Sequence, residues 1–158
     1  MNKMLTWAFV AAVVAAALTS VDFGLGANQA RTKLAATLDA AQEVPRPQAV
    51  VGQARGRFEA LVSGRGSRLA LRWSLRWSKT SGRVLQAHVH LGRRGVSGRI
   101  AVGLCAPCGK TRRAGSAGGL VYISSKLLRA LRNGNTYVNL HTKKNPNGEI
   151  RGQIKLLH

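Results

Sequence analysis

The sequence predicts an all-β fold: an antiparallel sandwich or barrel with one short helix. Two observations carry this reading. Several short runs alternate apolar and polar residues with period two, the mark of strands with one buried and one wet face. Turn signals separate those runs at Gly64-Arg65-Gly66-Ser67, Ser81-Gly82, Gly92 to Gly98 and Asn145-Pro146-Asn147-Gly148. Short strands between such turns build sandwiches and barrels.

The elements follow in order. Residues 54–62 alternate weakly, with Phe58, Ala60 and Val62 set against Arg57, Glu59 and Leu61. Residues 68–77 alternate most clearly. Leu69, Leu71, Trp73, Leu75 and Trp77 share one parity, and Arg68, Arg72 and Arg76 share the other. The parity sends the two tryptophans to the core and the three arginines to one side of the sheet. In residues 84–91 the apolar set is Leu85, Ala87, Val89 and Leu91, with Gln86, His88 and His90 opposite. Ile100, Val102 and Leu104 predict a further strand, and residues 110–119 read as a loop rich in Gly, Ser, Ala and basic residues. Ser124 or Ser125 caps a short helix through Leu131, with Gly134 near its end. Val138 with Leu140, and Ile150 with Ile154 and Leu156, give the last strands.

Residues 1–30 read as an export signal. Lys3 is the positive start, residues 5–18 are apolar apart from Thr6, and small residues follow from Thr19 to Ala30. The apolar run is shorter than the roughly 20 residues a membrane crossing needs. An uncleaved N-terminal anchor is the alternative. Residues 31–158 then form one domain, secreted or periplasmic, with no transmembrane segment after cleavage. The chain has 158 residues and a formal net charge of +20; loss of residues 1–30 removes only Lys3 and Asp22 and leaves that charge unchanged. Five acidic residues in all argue against paired-carboxylate hydrolysis.

Several strings share an order. They are Glu43-Val44-Pro45, Ala87-His88-Val89-His90-Leu91-Gly92 with Gly98, Leu127 to Leu131 with Gly134, Tyr137-Val138-Asn139-Leu140-His141-Thr142, and Gly148-Glu149-Ile150-Arg151-Gly152-Gln153 after Pro146. In that order they resemble the CHRD domain, the module named after chordin, from about Leu34 to Leu156. The resemblance implies an exported β-sandwich module, immunoglobulin-like or superoxide-dismutase-like in architecture, and implies little about activity. It marks Glu43, Pro45, Asn139, Glu149, Arg151 and Gly152 as motif residues with structural work. The strong basicity and the Cys105-Ala106-Pro107-Cys108 insert depart from the family pattern.

Three features could carry chemistry. His88 and His90 leave one face of a strand, and His141 lies opposite Val138 and Leu140. Three imidazoles that converge could hold zinc or copper. The alternative is a fixed hydrogen-bond network to loop carbonyls or to Glu149. No cofactor is otherwise implied. Cys105 and Cys108, the only cysteines, are expected as a local disulfide in an oxidising compartment. A metal or redox pair is the alternative. The charge must attract polyanions. Arg68, Arg72 and Arg76 are the best local patch, with Arg93 and Arg94, Arg99, or Lys110, Arg112 and Arg113 as extensions. Glu149 and Arg151 share one face of the last strand and are expected to pair.

These residues point to a binding or structural module rather than an enzyme. Its expected partners are anionic polymers of the envelope or extracellular space, or another envelope protein. Specific nucleic-acid recognition is not expected. A His-based metal protein, with oxidoreductase activity as one form of it, is the alternative function.

Overall fold

In the computed structural model, residues 31–48, 52–109 and 113–157 are described. Residues 1–30, read from the sequence as an export signal, and Lys110 and Arg112 lie outside them. Among the described residues nine strands form one antiparallel sheet: β1 Thr32–Asp39, β2 Arg55–Ser63, β3 Leu69–Ser78, β4 Val84–Leu91, β5 Ile100–Cys105, β6 Gly115–Ile123, β7 Thr136–Thr142, β8 Ile150–Gln153 and β9 Lys155–Leu157. The order is β5-β4-β7-β8-β1-β2-β3-β6, with β9 on β1. The end strands β5 and β6 come back into contact, so the sheet curls into a nearly closed barrel. One helix, α1 Ser125–Arg132, follows β6.

Period two builds the core. On β3 the buried set is Leu69, Leu71, Trp73, Leu75 and Trp77, while Arg72 and Arg76 stay exposed. β2 adds Phe58, Ala60 and Val62, and β1 adds Leu34, Ala36 and Leu38. The fully buried apolar side chains contribute on the order of 2 kcal/mol each, as upper values. The Ser124 hydroxyl accepts from the Leu127 N–H at 3.2 Å, which caps α1 and turns Leu127 and Leu131 inward. Gly152 is required where β8 meets β1: a Cβ there would lie 2.5 Å from the Thr37 carbonyl oxygen.

Three expectations need correction. Residues 115–119, read as loop, pair with β3 from Trp77↔Gly115 to Trp73↔Gly119. The Trp73 indole covers Gly119, whose virtual Cβ would sit 3.3 Å from it. A glycine strand is stabilised here by its neighbour's side chain, and it carries no apolar period of its own. In β4 the register shifts between Val84 and Gln86. Val84 is therefore buried and Leu85 is 40% exposed, against the expected parity. Arg68 precedes β3 and belongs to the turn, with its N–H on the Arg65 carbonyl.

Candidate functional site

The β4–β7 pairing assembles the histidines. His90 is opposite Tyr137, His88 opposite Asn139, and Gln86 opposite His141. Residues directly opposite share a face, so the three imidazoles converge. One nitrogen from each lies within 4.8 Å of the others. Ring centroids are 5.0 Å apart for His88 and His141 and 5.7 Å for His88 and His90.

Backbone carbonyls set the rings. His90 Nδ1 lies 2.8 Å from the Gly98 oxygen, and His141 Nδ1 lies 2.8 Å from the Pro146 oxygen. His88 Nδ1 is 3.2 Å from His141 Nε2, which also lies 3.1 Å from Asn139 Oδ1. Burial lowers all three imidazole pKa values and takes His88 to about 4, with the His141 and His90 charges adding to its shift. The rings are thus neutral near pH 7. Gly98 has no room for a side chain: a Cβ would fall on the Leu91 carbonyl oxygen.

Behind the imidazoles lies a stack. Tyr137 and His90 are nearly parallel, with centroids 4.8 Å apart. The Arg151 guanidinium sits over the Tyr137 ring at 3.4 Å and donates to the carbonyls of Arg93 and Val96. The Tyr137 hydroxyl accepts from the Gly98 N–H at 3.1 Å. This loop contact holds the carbonyl that orients His90. Glu43 is also buried, and its Oε1 accepts from the Val44 N–H. Burial pushes its pKa up to about 7, while that N–H, Arg151 and Asn139 pull it down. Pro45 lies on the exposed side of the same turn.

The expected Glu149–Arg151 pair does not form. Glu149 leaves the turn before β8 and accepts from the Ser81 N–H at 2.5 Å, the Ser81 hydroxyl, the Thr142 hydroxyl at 2.5 Å and Asn145 Nδ2 at 3.1 Å. Arg151 is taken by Tyr137 and the carbonyls. Glu149 therefore does not orient His141, as one reading had it; Pro146 and Asn139 do. Parity already put Tyr137 and Asn139 beside His141. No local signal marks the Gly98 and Pro146 carbonyls or Ser81.

A second feature lies on the outer face. Register places Lys33, Leu61, Arg72 and Leu120 in one row across β1, β2, β3 and β6. Thr37, Arg57, Arg76 and Ser116 make another, and Asp39 and Arg55 a third. Five cations, Lys33, Arg55, Arg57, Arg72 and Arg76, thus share that face. Among the described residues its acids are already engaged: Glu59 pairs with Arg57 at 2.8 Å, and Asp39 accepts from Gln42. Of the sequence-level patch, Arg72 and Arg76 lie here. Arg68 lies in the turn before β3, Arg94 lines a groove against β1 beside Lys155, and the Arg93 carbonyl serves Arg151.

Cys105 and Cys108 are joined as a disulfide, with Cα atoms 4.8 Å apart. The bridge closes the turn that leaves β5. Neither sulfur belongs to the imidazole cluster.

The family model described as the CHRD domain matches residues 34–154, well over half of the chain. No curated protein matches the chain, and no solved structure does.

Proposed function

The chain belongs to the CHRD-domain family, and from that premise we propose that it is an exported module that holds anionic polymers of the envelope or extracellular space on its basic outer sheet face. A CHRD domain is a structural or binding module. The single observation that carries the assignment of an anionic polymer is the five-cation face. Arg57 and Arg76 are directly opposite each other. Like charges in that position destabilise a sheet; Glu59 offsets Arg57 on one side, and an anion laid across the face would neutralise Arg76 as well. Lys33 and Arg72 extend the face two rows further, beyond the row that holds Ala35, Glu59 and Ser74.

Export is supported by one feature of the sequence and one of the structure. Residues 1–30 have the charged, apolar, small-residue order of a signal. The chain's only cysteines are bridged, as an oxidising compartment favours. No helix among the described residues is long and apolar enough to cross a membrane.

Titration of the full chain with an acidic polysaccharide tests the reading. Raising salt from about 0.1 M to about 1 M shortens the screening length from about 10 Å to about 3 Å. Affinity should fall steeply across that range and should survive loss of the imidazoles. Salt-insensitive binding, or no binding at low salt, contradicts the proposal. Capture of a single envelope protein by a face without polymer affinity would favour the protein partner instead.

A further inference from the structure

The imidazole cluster holds more electron pairs than protons. His90 donates its Nδ1 hydrogen to Gly98 and His141 donates its own to Pro146, so each neutral ring keeps a lone pair on Nε2. His90 is only 8% exposed; its Nε2 meets no partner in good hydrogen-bond geometry, and the side chain that bears on the ring is that of Asn139. His141 Nε2 faces Asn139 Oδ1. The Asn139 side chain also favours the ionised form of Glu43. That is work for its amide NH2, which leaves Oδ1 on the imidazole side. Three acceptors thus meet, and His88 Nδ1 can supply one hydrogen between them. Buried acceptors without donors are costly. A cation is what such a set lacks.

We propose that His88, His90 and His141 form a three-imidazole site for a borderline divalent cation, zinc or copper(II). Neutral imidazole suits these ions, whereas calcium and magnesium need oxygen ligands. Two nitrogens at about 2.1 Å from a tetrahedral ion are roughly 3.4 Å apart. His88 Nδ1 and His141 Nε2 already stand at 3.2 Å. The ligand atoms all lie within 4.8 Å of one another, so the widest pair closes by up to about 1.4 Å on binding. The Nδ1 hydrogen bonds of His90 and His141 to backbone carbonyls are the outer-shell arrangement that fixes a ligating imidazole's tautomer. His88 and His141 are only half-buried, which leaves the fourth position to solvent.

This site is independent of the polymer-binding face, and either can fail without the other. The test is competition of the full chain against a chromogenic chelator for zinc, with copper(II) followed by electron paramagnetic resonance. The expected result is one ion per chain, bound tighter than about 1 μM, with a nitrogen-rich copper signal. Affinity should fall by about 100-fold or more in His88→Ala and in His90→Gln, and stay unchanged in His158→Ala. Zinc should raise the melting temperature of the wild type and leave that of His88→Ala where it is. If His90→Gln does not fold, the half-exposed His88→Ala decides. Absence of binding, or undiminished binding by folded His88→Ala, overturns the proposal.

Discussion

Arg151 places its guanidinium 3.4 Å above the ring of Tyr137, in a face-on cation–π contact made inside the protein. The two come from neighbouring strands β8 and β7, and His90 stacks on the same tyrosine from β4. Three strands are thus tied through one aromatic ring. Tyr137→Leu removes both stacks and should cost about 2–4 kcal/mol. Tyr137→Phe keeps the stacks and loses the hydroxyl contacts with the Gly98 N–H and carbonyl, which should cost about 1 kcal/mol. Urea unfolding followed by the fluorescence of buried Trp73 and Trp77 measures both. Equal costs would show that the stack contributes nothing.

Glu43 should set a pH slope. Its folded pKa of about 7 stands above the ordinary 4.5, chiefly through burial. The folded chain therefore holds this proton more tightly than the unfolded chain. The stability it contributes is fully present below about pH 4.5 and is lost as pH rises through about 7. Glu43→Gln cannot titrate, so the stability difference between variant and wild type should grow in the variant's favour from pH 5 to pH 8. The imidazoles are common to both proteins and cancel in that comparison. A difference that does not change with pH would refute the assignment.

Glu149 should matter more than its sequence position implies. Four donors converge on its buried carboxylate. Glu149→Ala leaves them without an acceptor and should cost about 3 kcal/mol or more. Glu149→Gln retains one acceptor oxygen and should cost less. Thermal melts of the two variants order these effects.

The Cys105–Cys108 bridge closes a very short loop. Replacing both with Ser should cost no more than about 2 kcal/mol and leave the barrel folded. Unchanged polymer binding in that variant would remove thiol–disulfide chemistry from consideration. Lost binding would bring it back.

Much of the barrel was legible because its strands obey period two. Residues 68–77 showed their buried face in the tryptophans and leucines, and the helix showed Gly134 near its end and a cap at Ser124 or Ser125, of which the structure uses Ser124. β6 escaped because Gly115, Gly118 and Gly119 offer no apolar side chain to read; the Trp73 indole on β3 covers Gly119 instead. In β4 a bulge reversed the parity of Val84 and Leu85. Parity put the three histidines on faces away from the core; their convergence needed the β4–β7 pairing, which parity leaves open. The partners that hold them did not, because the Gly98 and Pro146 carbonyls are backbone atoms brought in by loops. The Glu149–Arg151 pair looked natural two residues apart. Each found partners distant in sequence, at Ser81 and Arg93, that no local pattern announces.

The outer face should be binding surface and not scaffold. Arg76→Thr removes one of two facing like charges and should leave stability within about 0.5 kcal/mol of wild type. Chemical denaturation of that variant checks it. A large loss would make Arg76 a structural residue.

The most direct measurement compares two triple variants of equal charge change for affinity toward one acidic polysaccharide at low salt. The first is Arg57→Ser/Arg72→Ser/Arg76→Ser, which strips the face. The second is Arg65→Ser/Arg99→Ser/Arg129→Ser, which removes exposed arginines elsewhere. The account predicts a much larger loss in the first. Equal losses would mean that overall charge, and no built face, attracts the polymer, and would contradict the central claim.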